Sequence, residues 1–138
     1  MSADDEIRKL LTNSKTIAVV GLSDSPLRPS HGVAAYMQTQ GYRIIPVNPA
    51  VSTVLGEKSY ARLEDVPEKI DVVDVFRKAD AVPEVVDAAI AVGAKVVWLQ
   101  EGIVHNAAAE KARAAGLRVV QSRCMLKEHY KLKAAEQP

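Results

Sequence analysis

Residues 21–32 contain the groups of this sequence that are best suited to bind an anion. They follow an apolar run, begin with Gly21, whose backbone can turn sharply and leave its amides open, and lead into a stretch with helical spacing. Backbone N–H groups in such a loop, together with the positive end of the following helix, bind phosphate. Arg28, Lys58 and Arg77 are the cations that we expect to reach it, and a guanidinium group forms paired hydrogen bonds with phosphate oxygens.

The loop differs from the two common nucleotide-binding patterns. It is not a G-x-G-x-x-G fingerprint and has no Gly-Lys-Ser/Thr. A nicotinamide-binding unit would also place Asp or Glu after the next strand to hold a ribose hydroxyl, whereas the sequence there reads Val47-Asn48-Pro49-Ala50. A nucleotide that carries phosphate on its ribose would tolerate the missing carboxylate. A small NAD(P)-binding oxidoreductase is therefore the alternative prediction and not the first one.

Five apolar runs of strand length predict the sheet that must position this loop. They span residues 16–20, 43–47, 70–76, 95–99 and 117–120. Their continuous apolar character indicates strands that are covered on both faces. The sequence predicts a single-domain doubly wound, Rossmann-like α/β fold of about five mainly parallel strands, with helices on both faces and a ligand beyond the carboxyl ends of the strands.

Stretches with helical spacing lie between most of these runs. The clearest has apolar residues at 82, 85, 86, 89 and 90, with Asp80 placed for a cap and Gly93 after the last turn. Glycines also end the stretches 32–40 and 106–115, and residues 2–13 and 126–135 predict a leading and a terminal helix. The segment 48–67 is less regular, and we expect one short helix there, around residues 60–64.

Composition excludes several classes of protein. The chain has 138 residues, 48% hydrophobic and 25% charged, with a net charge of +1. Such values fit one globular domain over residues 1–138 and argue against a nucleic-acid partner. The acidic N-terminus is unlike a signal peptide, and no apolar run is long enough to span a membrane. With one cysteine and three widely spaced histidines, we expect a cytoplasmic protein without a metal site.

A set of short motifs occurs in order along most of the chain. They are Gly21-Leu22-Ser23, Arg28-Pro29-Ser30-His31, 41–49 (GYRIIPVNP), Leu55-Gly56-Glu57-Lys58, Asp74-Val75-Phe76-Arg77, 98–103 (WLQEGI) and Arg123-Cys124. Over about residues 5–130 the chain resembles the small bacterial and archaeal CoA-binding domain proteins. Those proteins are similar to the N-terminal CoA-binding domain of the succinyl-CoA synthetase α subunit.

The resemblance implies a coenzyme A site and assigns residues to its parts. Gly21, Leu22, Ser23 and Ser25 would cradle the pyrophosphate, with Arg28 nearby. The adenosine would be bordered by Val47, Asn48 and Pro49, and its adenine and ribose phosphate would be flanked by Phe76 and Arg77. Leu99, Gln100 and Glu101 match residues whose backbone meets the pantetheine arm.

The resemblance does not imply a ligase activity. The synthetase reaction needs a phosphorylated histidine in a second domain and a nucleotide-binding β subunit, and we expect neither from this chain. The prediction is a module that binds CoA or an acyl-CoA without complete catalytic machinery. It would act alone or lend its site to an acyl-CoA synthetase partner. A separate hypothesis is that mild oxidation joins the Cys124 thiol and the CoA thiol in a mixed disulfide, because Cys124 follows the fifth strand beside Arg123.

Overall fold

The computed structural model describes residues 2–136, in which five parallel strands form the central sheet. The strands in chain order are β1 (Thr16–Val20), β2 (Arg43–Val47), β3 (Thr53–Val54), β4 (Glu57–Lys58), β5 (Val72–Val75), β6 (Val96–Leu99) and β7 (Arg118–Val120). The order in the central sheet is β2-β1-β5-β6-β7, and β3 and β4 form a separate antiparallel pair. This arrangement confirms the predicted doubly wound parallel sheet.

Five α-helices within residues 2–136 cover the two faces of the sheet. They are α1 (Ala3–Asn13), α2 (Pro29–Thr39), α3 (Val82–Ala91), α4 (Asn106–Ala114) and α5 (Met125–Glu136). Short 3-10 turns occur at Leu63–Asp65 and Ala79–Ala81. Within residues 2–136 no helix is long and apolar enough to cross a membrane.

Alternate residues of each strand point to opposite layers, as the pleat requires. In β1, Ile17 and Val19 pack in the layer that contains α1, α2 and α5. Ala18 and Val20 pack in the layer that contains α3 and α4. Both layers consist largely of aliphatic side chains, which accounts for the unbroken apolar runs in the sequence.

One predicted helix start and one predicted helix cap were wrong. Helix α2 begins at Pro29, three residues before the predicted start at Gly32, because proline at the first helical position already has a helical φ and needs no N–H partner. Asp80 does not cap α3: it lies in the 3-10 turn, and the N-cap residue is Ala81, whose side chain makes no capping hydrogen bond.

The segment between β2 and β5 returns to the sheet at Tyr60, and the predicted short helix around residues 60–64 is reduced to a 3-10 turn slightly further along the chain. The 3-10 turn Leu63–Asp65 is its only helical turn among the described residues, and the β3–β4 hairpin is an addition that the sequence pattern did not predict. After the hairpin, Tyr60 bridges to β2: its N–H donates to the Pro46 carbonyl at 3.0 Å, and its carbonyl accepts from Asn48 N–H at 2.8 Å.

Candidate functional site

A cleft of about 680 Å³ lies at the carboxyl edge of the sheet, where the strand order reverses between β1 and β5. Open α/β sheets bind ligands at this point because the loops after the two strands lead to helices on opposite faces. The lining residues are Gly21, Ser23, Arg28, Pro29, Ser30, Val33, Phe76, Arg77, Lys78, Gln100, Glu101, Ile103 and Cys124.

Gly21 is the residue at which the chain leaves β1, and only glycine fits there. Its φ is +88°, and a Cβ atom would lie 2.4 Å from the Phe76 carbonyl oxygen. The Gly21 N–H donates to the Val47 carbonyl at 2.9 Å, and Phe76 N–H donates to the Val20 carbonyl at 2.9 Å. The ends of β1, β2 and β5 are therefore held together directly beneath the loop.

The loop after Gly21 is shaped by its own serines. Ser30 Oγ, on the first turn of α2, accepts a hydrogen bond from Ser23 N–H at 3.0 Å. Ser23 Oγ accepts from Ser25 N–H at 3.0 Å, and Ser25 Oγ accepts from Leu27 N–H at 3.4 Å. Ser30 is buried, so this contact fixes the distance between the loop and the helix.

The positive end of α2 opens toward the cleft. Arg28 is its N-cap residue and makes no side-chain capping hydrogen bond, and Pro29 and Ser30 of the first turn line the cleft. Pro29 has no N–H, and His31 and Gly32 N–H donate to the Arg28 carbonyl, so Ser30 N–H is the amide of this turn that has no partner within residues 2–136. The partial positive charge of the helix end favours an anion.

Three cationic side chains add to the positive charge at this cleft. Arg28, Arg77 and Lys78 line it and are exposed, and none of them forms an ion pair within residues 2–136. The carboxylate on the rim, Glu101, is bound instead by Lys127, with Nζ to Oε2 3.0 Å. The rim thus combines free cations with a neutralised acid, which is the charge arrangement that suits a phosphorylated ligand.

The structure brings half of the predicted site residues to the cleft. These are Gly21, Ser23, Arg28, Phe76, Arg77, Gln100 and Glu101. The side chains of Leu22, Val47 and Leu99 are buried in the core, so a ligand would meet only their backbone.

The remaining predicted residues lie beside the cleft or away from it. Asn48 fixes the loop through its side chain, since Nδ2 donates to the Leu22 carbonyl at 2.9 Å and Oδ1 accepts from Ala50 N–H at 2.9 Å. Pro49 is exposed next to it. Ser25 acts within the loop, and Lys58 lies on β4 with Nζ 5.1 Å from the centre of the Tyr60 ring.

Sequence reasoning missed several residues of the lining as site residues: Pro29, Ser30, Val33, Lys78 and Ile103. Pro29 and Ser30 carry a signal, since a proline followed by helical spacing marks a helix start and places the next residues at its positive end. Cys124 also lines the cleft and is half-buried. Within the described part of the chain no three His, Cys, Asp or Glu side chains are grouped to hold a metal ion.

A buried carboxyl group lies behind the cleft wall. Asp74, on β5, is 1% exposed, and its Oδ1 accepts a hydrogen bond from Gln100 Nε2 at 2.6 Å. Burial raises the pKa of Asp74 to about 7, against the opposing effect of the Gln100 hydrogen bond. Gln100, 4% exposed, lines the cleft and connects this carboxyl to it.

Comparison with known proteins gives a consistent set of matches. A family model described as a CoA binding domain matches residues 15–130. The chain is 41% identical to the uncharacterized protein YneT of Bacillus subtilis over 124 residues, 90% of this chain and 92% of that protein.

Solved structures extend these matches to the fold. A hypothetical protein from Pyrococcus horikoshii superposes with a TM-score of 0.92 at 45% identity, over 96% of this chain and 93% of that one. The dinucleotide-forming acetyl-coenzyme A synthetase 1 of Candidatus Korarchaeum cryptofilum gives a TM-score of 0.72 at 26% identity, over 80% of this chain. The match spans 26% of that synthetase chain, so it concerns one part of a longer protein.

Proposed function

The chain belongs to the CoA-binding domain family, and from that premise we propose that it binds coenzyme A or an acyl-CoA in the carboxyl-edge cleft. The observation that carries this proposal is the chemistry of the cleft. The cleft combines the first turn of α2 and the cations Arg28, Arg77 and Lys78 with apolar groups such as Val33, Phe76 and Ile103. A ligand that carries several phosphates and a flexible, mostly uncharged arm fits such a lining.

We propose that the parts of the ligand are distributed along the strand ends. The pyrophosphate lies against the backbone of Gly21 and Leu22, with Ser23, Ser25 and Arg28 around it. The adenosine lies toward residues 47–49 and Phe76, with its ribose phosphate near Arg77 and within reach of Lys58. The pantetheine arm extends along residues 99–101 toward Cys124.

The proposed activity of this chain is binding. Its match to one part of an acetyl-CoA synthetase supports a role in which an acyl-CoA synthetase-type partner supplies the remaining chemistry. A role as a free CoA sensor or carrier is the other form of the proposal, and the reducing cytoplasm is the compartment that fits a chain with one cysteine. Affinity capture from the source cell distinguishes these two roles. Only the role with a synthetase-type partner requires that a nucleotide-binding synthetase chain is recovered with the protein.

Calorimetric titration of the ligand-free protein with CoA, dephospho-CoA and NAD tests the proposal. We expect CoA to bind more tightly than dephospho-CoA, because only CoA carries the ribose phosphate. Binding of NAD alone would contradict the proposal and favour the oxidoreductase, and absence of CoA binding would contradict binding by the isolated chain.

Arg77→Ala is expected to weaken CoA binding about tenfold, or about 1.4 kcal/mol, because a charge-assisted contact with phosphate is lost. The same substitution should leave the affinity for dephospho-CoA nearly unchanged. Arg118→Ala is the matched control, since Arg118 is exposed at the start of β7, on the opposite edge of the sheet. Equal losses for the two ligands would show that Arg77 does not contact the ribose phosphate.

Ser30→Ala is expected to weaken CoA binding about fivefold, or about 1 kcal/mol, because the loop loses the acceptor that holds Ser23 N–H. Calorimetry against Ser52→Ala, an exposed serine in the β2–β5 segment, measures the effect. Tighter CoA binding by the Ser30 variant would contradict this role. It would show that the Ser30 hydroxyl occupies the Ser23 N–H and keeps it from donating to the phosphate.

A further inference from the structure

Asp74 and Gln100 form a hydrogen-bonded pair of buried side chains, and Gln100 is the member of the pair that faces the cleft. Gln100 directs Nε2 toward Asp74, and its amide oxygen, Oε1, has no hydrogen-bond partner within residues 2–136. In that same part of the chain no fully buried side-chain oxygen or nitrogen lacks a partner. Oε1 is therefore accessible, and the cleft is the opening that Gln100 lines.

The orientation of the Gln100 amide depends on the charge of Asp74. An ionised carboxylate only accepts hydrogen bonds, so it must face Nε2, and Oε1 is then presented to the cleft as an acceptor. A protonated carboxyl can donate to Oε1 instead, and the amide then turns its NH₂ group toward the cleft. The same side chain thus offers an acceptor in one state and a donor in the other.

We propose that Asp74 is a positioning residue that, when ionised, holds the Gln100 amide oxygen toward the cleft to accept a hydrogen bond from an N–H group of the ligand. The inference rests on the proposed function, since the pantetheine arm of CoA supplies amide N–H groups of this kind. It assigns recognition of the arm to a side chain, in addition to the backbone of residues 99–101.

The protonation state of Asp74 is set by its burial and not by a neighbouring charge. The neighbouring strands place Val19 and Trp98 beside it, and α1 contributes apolar residues to this layer. Within residues 2–136 the buried titratable side chains of the covering helices are Glu128 and His129, and His31 and Tyr36 of α2 are half-buried. Those that line the cleft are Arg28, Arg77, Lys78, Glu101 and Cys124.

The buried members of that set have partners of their own. Glu128 is bound by Arg123 at 2.7 Å and by Lys131 at 3.1 Å, and His129 Nδ1 shares a 2.9 Å hydrogen bond with the Tyr36 hydroxyl. Burial, and no neighbouring charge, is what raises the pKa of Asp74 into the neutral range. Both states of the pair are therefore populated near neutral pH.

Measuring the affinity for dephospho-CoA between pH 6 and pH 8 tests the inference, because this ligand lacks the ribose phosphate that titrates in the same range. Since the ionised form is the one that binds, affinity should rise with pH, by about tenfold over this interval. In Asp74→Asn the rise should disappear, whereas Asp87→Asn, an exposed control on α3, should keep it. The same rise in the Asp74 variant as in the parent would overturn the inference.

A second measurement needs no ligand and separates this inference from the proposed function. The ¹⁵N side-chain amide signal of Gln100 in the free protein should shift with a midpoint near neutral pH and should be constant in Asp74→Asn. A flat signal in the parent protein would overturn the inference even if CoA binds. A titrating signal together with absence of CoA binding would support the paired switch and contradict only the identity of the ligand.

Discussion

Gly21→Ala is expected to be the most damaging single substitution in the loop, with a loss of about 3–5 kcal/mol of folding free energy and of measurable CoA binding. The new Cβ would lie 2.4 Å from the Phe76 carbonyl oxygen, which belongs to backbone and cannot move without separating β1 from β5. The φ of +88° adds strain that an alanine cannot relieve. Chemical denaturation and calorimetry with CoA measure the two losses.

Gly32→Ala is the matched control for this experiment. Gly32 lies within α2 and has no positive φ, and a Cβ atom there would meet no other part of the protein within 4 Å. Alanine favours a helix over glycine by about 1 kcal/mol, so this variant should be unchanged or slightly more stable. A Gly21 variant as stable as the Gly32 variant would contradict the close approach of β1 and β5.

Asp74→Asn is expected to stabilise the protein at pH 8 by about 2–4 kcal/mol. At that pH the parent must keep an ionised carboxylate buried, whereas asparagine of nearly the same shape is neutral and still accepts from Gln100 through Oδ1. Denaturation curves of the two proteins at pH 5 and pH 8 measure the difference.

The sign of this pH dependence of stability follows from the direction in which the pKa of Asp74 is shifted. The pKa of Asp74 is raised on folding from about 3.8 to about 7, so the folded state binds this proton more tightly than the unfolded chain. Its contribution to stability is largest at low pH and is lost as the pH rises through this window. Other groups act in the opposite sense: burial lowers the pKa of His129, which favours folding at higher pH.

Comparing the two proteins isolates Asp74 because His129 is common to both. The advantage of the asparagine variant should therefore grow between pH 5 and pH 8. An advantage that is the same at both values would show that the carboxyl titrates at its ordinary pKa in the folded protein.

The fold was predictable because the sheet is covered on both faces. The central strands are then mostly apolar, and β1 and β2 have the predicted bounds. The β3–β4 hairpin was not predictable in this way: each strand has two residues, too few to show a period, and Leu55 reaches a positive φ without a distinctive sequence signal.

The candidate site was predictable where it depends on position at a strand end. Gly21, Arg77 and Gln100 follow apolar runs directly and Phe76 ends one, so topology alone brings them together. Ser30 and the Asp74–Gln100 pair depend on tertiary contacts between different elements. Asp74 in particular occurs inside an apolar run, where the sequence does not show which side chain will meet its carboxyl group.

The return of the chain from β4 to β2 also affects how molecules of this protein meet one another. An outer strand with free backbone groups is a template on which a second molecule can extend the sheet, and such pairing leads to aggregation. Here the outward carbonyl of Pro46 already accepts from Tyr60, and proline offers no N–H in its place. The opposite outer strand, β7, has three residues. Neither outer strand therefore offers a strand of a second molecule a long row of free backbone N–H and C=O groups. This favours a protein that does not aggregate at high concentration.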